Sequence, residues 1–165
     1  MSDPLLSELR AACPLPVAAV GVGNALKGDD GFGPAVLAAL PELEGVVCFD
    51  AGMAPENWLG PIARAQPASI LVLDAADLDE PPGTLRLLQP DALDDTVGFT
   101  HGLPLGFFFE LLADRCDAPL RVLLAQPAAI TFGEALSEPM VAAVERAAAL
   151  LRAMADPTAR RGAGR

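Results

Sequence analysis

The sequence has few basic residues, and this scarcity excludes several classes of partner. Only 11 lysines and arginines stand against 22 aspartates and glutamates, which gives a net charge of −11. A nucleic-acid backbone or an anionic membrane surface would repel such a protein, so we expect no nucleic-acid partner. The one basic cluster is Arg160, Arg161 and Arg165, in a glycine- and alanine-rich end. We expect residues 156–165 to form a flexible tail rather than a binding site.

Cysteines are also few, and long apolar runs are missing. Cys13, Cys48 and Cys116 are far apart and show no Cys-x-x-Cys spacing, which argues against a disulfide framework or a thiolate zinc site and favours a reducing cytoplasm. The first residues carry acid where a signal peptide carries base, and no apolar run approaches the roughly 20 residues of a membrane helix. We therefore expect neither secretion nor membrane insertion.

What the sequence does contain is an alternation of short apolar runs and helical patterns. With 52% hydrophobic and 20% charged residues among 165, we expect one folded domain over residues 1–155. Strands are predicted at 16–22, 45–50, 70–74, 83–88 and 120–125, and helices before Pro41 and at 58–65, 103–116 and 137–154, the last with Ser137 as its N-cap. This order predicts an α/β three-layer sandwich: a mostly parallel sheet of about five strands with helices on both faces.

Three aspartates come at or just after the ends of predicted strands. Asp30 follows the first strand by a short loop, Asp50 closes the second and Asp74 closes the third. Because ligands of parallel sheets bind at the carboxyl ends of the strands, these residues are expected to crowd one edge. Carboxylates held close together stay ionised only if a cation or protons relieve their repulsion. A metal ion at this edge is the simplest prediction.

The glycine-rich stretch 21–31 offers a different interpretation, a small nucleotide-binding α/β domain. Gly21 and Gly23 follow a strand as in a dinucleotide-binding loop, but Leu26 stands where the motif needs its third glycine. Asp29 and Asp30 would also place negative charge where a phosphate binds. A tight turn followed by an acidic helix start explains the same residues, so this alternative is disfavoured.

His101 is the only histidine, so any imidazole chemistry has to use it. A lone histidine is commonly a surface or packing residue. This one, however, lies in a loop that leads into a predicted helix, where an α/β fold can deliver it to the edge of the sheet. Together with Asp30 and Asp74 it would make an N/O ligand set suited to zinc, nickel or iron, with positions left for water or substrate.

Four segments in register resemble the hydrogenase maturation endopeptidases. They are Gly21–Pro34, Asp50–Asn57, Leu73–Asp77 and Thr100–Leu105. Their order and separation also match, and the likeness covers residues 16 to about 154. The sequence resembles in particular the branch that processes the large subunit of the formate-hydrogenlyase hydrogenase.

The resemblance implies a fold and a set of site residues. It implies a single α/β sandwich, with Asp30, Asp74 and His101 as metal ligands and Asp29 as an outer acid that is not a ligand. Asp50 corresponds to an acid that affects substrate binding.

The resemblance also implies an activity. Members of the family remove a C-terminal extension from the large-subunit precursor of a nickel-iron hydrogenase after nickel insertion. The implied metal is nickel in or from the substrate, and zinc or cadmium can occupy the site in vitro. Asp30 or Asp74 would act as the base, in an aspartyl-type or metallo-endopeptidase. The alternative is a non-catalytic nickel-sensing maturation chaperone that uses the same ligands.

Overall fold

The computed structural model of the chain describes residues 3–93, 98–99 and 105–160. Within these ranges the strands are β1 Val17–Val22, β2 Val46–Gly52, β3 Ser69–Asp77, β4 Leu85–Leu88, β5 Gly98–Phe99 and β6 Leu120–Ala125. The α-helices are α1 Pro4–Ala12, α2 Phe32–Ala38, α3 Leu59–Arg64, α4 Leu105–Ala113, α5 Glu138–Ala155 and α6 Pro157–Arg160. Short 3₁₀ turns occupy Gly28–Gly31, Pro55–Trp58 and Pro90–Ala92.

The sheet has the strand order β2-β1-β3-β6-β4. Its first four strands are parallel, whereas β4 pairs antiparallel with β6. The short β5 pairs antiparallel with the end of β3. The predicted mostly parallel sheet of about five strands is therefore confirmed, and its carboxyl edge gathers the loops that follow β1, β2, β3 and β6.

Two apolar cores cover the two faces of the sheet, which confirms the three-layer α/β sandwich. Side chains of one face pack against α1, α2 and α5, and those of the other pack against α3 and α4. Neighbouring residues of β3 show the alternation, since Leu71 belongs to the first core and Val72 to the second. Because β1 and β3 are central and buried on both faces, their sequences are continuous apolar runs.

Helix α1 was not expected from the sequence. Helix α1 begins at Pro4 with Asp3 as its N-cap, whose carboxylate accepts a hydrogen bond from the Leu5 N–H at 2.9 Å. Leu5 and Leu9 bury its apolar face in the first core. The Asp-Pro pair that starts it was present as a signal, but tertiary packing supplies most of the stability of so short a helix.

No helix in the described ranges is both long enough and apolar enough to cross a lipid bilayer. At the end of the chain, Pro157–Arg160 form the short helix α6. Residues 161–165 lie outside the described part, so the division between a domain ending at 155 and a tail stays a prediction.

Candidate active site

The structure brings two of the predicted site residues together at the carboxyl edge of the sheet. Asp74 lies near the end of β3 and is fully buried, and Asp30 lies in the 3₁₀ turn after β1 with 1% of its surface exposed. They are close enough for the charge of Asp30 to raise the pKa of Asp74. We call Asp30 and Asp74 the acidic pair.

The backbone around Asp30 is held tightly by the residues that follow β1. The Asn24 N–H donates a hydrogen bond to Asp30 Oδ2 at 2.8 Å, and Asn24 Oδ1 accepts one from the Leu26 N–H at 2.9 Å. Gly23 has a φ of 134°, and a Cβ there would overlap the carbonyl oxygen of Asp30. Glycine is therefore required at this position for the turn to close over the strand.

A second glycine brings the start of α2 against the strands. A Cβ at Gly33 would lie 2.6 Å from the carbonyl oxygen of Val22 and would overlap that of Leu73. The helix therefore crosses β1 and β3 in direct backbone contact. The contact joins Gly33, three residues after Asp30, to Leu73, the residue before Asp74. Close helix-strand packing, for which a dinucleotide-binding loop would use a glycine at position 26, is achieved here by Gly33, while Leu26 is exposed.

Burial and charge together set the electrostatics of the acidic pair. Burial raises the pKa of Asp74 well above its ordinary value; a hydrogen bond from the Ala75 N–H opposes this shift, and the charge of Asp30 adds to it. Two carboxylates so placed need a proton or a cation between them. The oxygen donors of the pair fit a divalent metal ion, although within the described ranges no three His, Cys, Asp or Glu side chains form a metal-binding group.

His101, the third predicted ligand, lies outside the described residues, and its role stays a prediction. The chain on both sides of it is described. Gly98 and Phe99 pair with Asp77 and Ala76 at the end of β3, and Leu105, where α4 begins, is buried in the same core as Ala76.

Asp50, predicted to handle substrate, is on β2 next to Gly21 of β1, and it is exposed. The structure does not bury it with the acidic pair, and its role in substrate binding is untested. Ala51 follows Asp50 in β2. Its methyl group is buried in the second core, whereas the positive φ of 55° falls on Gly52. Alanine at 51 is therefore tolerated by the backbone.

Asp29, expected only as an outer acid, is buried and accepts four hydrogen bonds, a role that the sequence did not reveal. The donors are Ala128 N–H (2.8 Å), Ala129 N–H (3.2 Å), Ser137 N–H (2.7 Å) and Ser137 Oγ–H (2.8 Å). Burial by itself would raise the pKa of Asp29, but these hydrogen bonds outweigh it and hold the pKa below its ordinary value. Asp29 thus ties residues 126–137, the β6–α5 loop, to the turn that carries Asp30.

Ser137 stands at the N-cap position of α5, as expected, but its side chain makes no capping hydrogen bond. The hydroxyl group donates to Asp29 Oδ2 instead. Ser137 was the one signal in the sequence that could have pointed to the anchoring role of Asp29, because a serine at a helix start is a ready partner for a carboxylate in a neighbouring loop.

A cavity lies at the opposite edge of the sheet. It is lined by residues that include Ile70 and Leu120, at the starts of β3 and β6, and Phe109 and Cys116 near them. The lining contains neither member of the acidic pair. The carboxyl edge, where two buried carboxylates meet, is therefore the better candidate for chemistry.

Comparisons with known proteins point to one protein family. Residues 36–153 match the family model described as hydrogenase maturation protease. The Hydrogenase 3 maturation protease of Escherichia coli K12 is 34% identical over 128 residues, which are 75% of this chain and 81% of the relative.

Solved structures show the same fold. The crystal structure of a NiFe hydrogenase maturation protease HycI from Thermococcus kodakarensis KOD1 superposes with a TM-score of 0.78 at 25% identity, covering 91% of this chain and 97% of the other. The solution structure of an endopeptidase HycI from Escherichia coli gives a TM-score of 0.69 at 32% identity, covering 78% of this chain and 84% of the other.

Proposed function

Because the chain belongs to the hydrogenase maturation protease family, we propose that it removes a C-terminal extension from the large-subunit precursor of a nickel-iron hydrogenase after nickel insertion. The observation that carries the proposal is the buried pair of Asp30 and Asp74 at the carboxyl edge of the sheet. Peptide-bond hydrolysis needs a group that takes a proton from water and a cation or donor that stabilises the developing oxyanion. The acidic pair supplies the group that accepts the proton, and it can bind the cation.

In this proposal nickel reaches the site as part of the substrate. Asp30 and Asp74, with His101 as the third ligand, bind the nickel of the precursor, and nickel polarises the scissile carbonyl or marks a precursor that is ready for cleavage. One carboxylate of the pair accepts the proton of the attacking water and passes it to the leaving amine. The hydrogen bond from Asn24 holds Asp30 in place for this role, and the contact of Gly33 with β3 holds the pair together.

We place the reaction in the cytoplasm. The three cysteines, Cys13, Cys48 and Cys116, are free thiols in the structure, as a reducing compartment favours. Burial raises the pKa of Cys13 to about 11, so this thiol is inert and packs as a small apolar side chain.

The test compares nickel-loaded and nickel-free precursor with the same enzyme, following the shortened product on a gel. Wild type is expected to shorten only the nickel-loaded precursor, and added zinc is not expected to replace nickel. Asp30→Asn, Asp74→Asn and His101→Ala should abolish cleavage, whereas Asp114→Asn, an exposed acid beyond the end of α4, should cleave as wild type does.

Two other outcomes would contradict the proposal in different ways. Cleavage of nickel-free precursor would show an ordinary peptidase that carries its own ion. Binding of nickel-loaded precursor without any shortening would identify a nickel-sensing chaperone. If His101→Ala lowers the free energy of unfolding as well as cleavage, then His101 is a structural residue and not a ligand.

A further inference from the structure

The most exposed large apolar side chains of the described residues all follow strands at the carboxyl edge. They are Phe132 (72% exposed), Leu26 (66%) and Met53 (62%), which come after β6, β1 and β2. A scattered exposed leucine needs no explanation, but several at one edge are characteristic of an interaction surface. This edge is also the one that holds the acidic pair.

The backbone segments that carry Leu26 and Phe132 are adjacent, although the two residues are 106 positions apart in sequence. The Gly133 N–H donates a hydrogen bond to the carbonyl oxygen of Leu26 at 2.8 Å. The loop that carries Leu26 and the β6–α5 loop that carries Phe132 therefore lie side by side. We call Leu26 and Phe132 the apolar patch.

The exposure of the patch is built into the fold. Asp29 accepts hydrogen bonds from both ends of the β6–α5 loop, at Ala128, Ala129 and Ser137. The Gly28 N–H also donates to the carbonyl oxygen of Glu134 at 3.2 Å. Asp29 therefore holds the backbone of the loop on both sides of Phe132, and the side chain of Phe132 is exposed to water. A backbone held in this way lowers the entropy lost on binding, as expected of a docking residue.

The patch is also joined directly to the proposed site. Leu26 donates its N–H to Asn24 Oδ1, and the Asn24 N–H donates to Asp30 Oδ2. Two hydrogen bonds therefore separate the patch from the acidic pair. A polypeptide bound at the acidic pair therefore lies close to the patch.

We propose that Leu26 and Phe132 form the docking surface for an apolar segment of the hydrogenase large-subunit precursor, close to its scissile bond. The inference rests on the proposed function and adds the residues that bind the substrate outside the acidic pair. An apolar segment is the partner because both side chains are hydrocarbon, and because a net charge of −11 gives this protein little means of attracting an acidic one.

The experiment measures KM and kcat for nickel-loaded precursor, and in parallel the equilibrium binding of that precursor, for Leu26→Ser, Phe132→Ser and the double variant. Val47→Ser is the control, because Val47 is also exposed (43%) but lies at the start of β2 beside Ala18. Each single substitution is expected to raise KM about tenfold and the double variant roughly a hundredfold, with kcat unchanged. Thermal unfolding should match wild type, since neither side chain is part of the core.

Several results would overturn the docking surface. An unchanged KM in the double variant, with wild type cleaving normally, would do so, as would an equal rise in Val47→Ser. A wild-type dimer that becomes monomeric in the double variant while KM is unchanged would assign the patch to self-association. If wild type binds precursor without cleaving it, the proposed function fails. In that case the binding measurement tests the docking surface by itself: loss of precursor binding in the double variant supports it, and unchanged binding refutes it.

Discussion

Replacing Asp29 tests how far this carboxylate holds the site together. In Asp29→Ala, the N–H groups of Ala128, Ala129 and Ser137 and the Ser137 hydroxyl all lose their acceptor. A hydrogen bond to a charged group contributes about 1.5–3 kcal/mol, and water can reach some of the freed donors at the loop surface. The expected loss in the free energy of unfolding is therefore about 3–5 kcal/mol, well below the simple sum of four bonds.

Asp29→Asn provides a graded comparison. Asp29 Oδ2 accepts three of the four hydrogen bonds and Oδ1 accepts only that of the Ser137 N–H. An asparagine with its oxygen at the Oδ2 position keeps three acceptor contacts and places its NH₂ against one N–H. The expected cost is about 1–2 kcal/mol, smaller than that of alanine.

Urea unfolding followed by tryptophan fluorescence measures both values. Trp58 is the only tryptophan and packs edge-on against Phe49, with ring centroids 6.2 Å apart, so its emission reports the folded core. Asp114→Ala, at an exposed position, serves as control and should lie within about 0.5 kcal/mol of wild type. If Asp29→Ala is no less stable than this control, or if asparagine costs more than alanine, the anchoring role of Asp29 is refuted.

Two further predictions concern the geometry and the ligands of the acidic pair. Gly33→Ala should lose at least about 2 kcal/mol in urea unfolding and most of its cleavage activity, because backbone carbonyls on β1 and β3 cannot move aside. The control is Gly106→Ala in helix α4, where no other element of the described residues lies within 4 Å of the new methyl group; it should instead gain about 0.5–1 kcal/mol. Equal losses in both variants would contradict the close-packing argument. In calorimetric titration with zinc, Asp30→Asn and Asp74→Asn should each weaken zinc binding at least about tenfold, while the control Asp114→Asn should bind zinc as wild type does. An unchanged zinc affinity in Asp74→Asn would remove Asp74 from the ligand set.

The sequence was informative wherever the pattern is local. Apolar runs predicted β1, β3 and β6 within a few residues, because a central strand of such a sheet is buried on both faces and is therefore largely apolar. The edge strand β2 was also predicted, although Val47 in it is exposed. That Asp74 and Asp30 lie at the same edge followed from the rule that the carboxyl ends of parallel strands meet at one edge of the sheet. The antiparallel direction of β4 was not predictable, since an edge strand of four residues carries no signal of its direction.

The roles of Asp29 and Phe132 were decided only by the tertiary structure. Nothing near Asp29 in sequence indicates its hydrogen-bond partners, which are 99 to 108 residues away. The neighbouring Asp30 has the same side chain but faces a different set of groups. The two acids differ because the β6–α5 loop packs against one of them and the end of β3 against the other. Likewise, Phe132 would be expected in a core by composition alone, and it stays in water because Asp29 and the backbone of Leu26 hold its loop on the outside of the sheet edge.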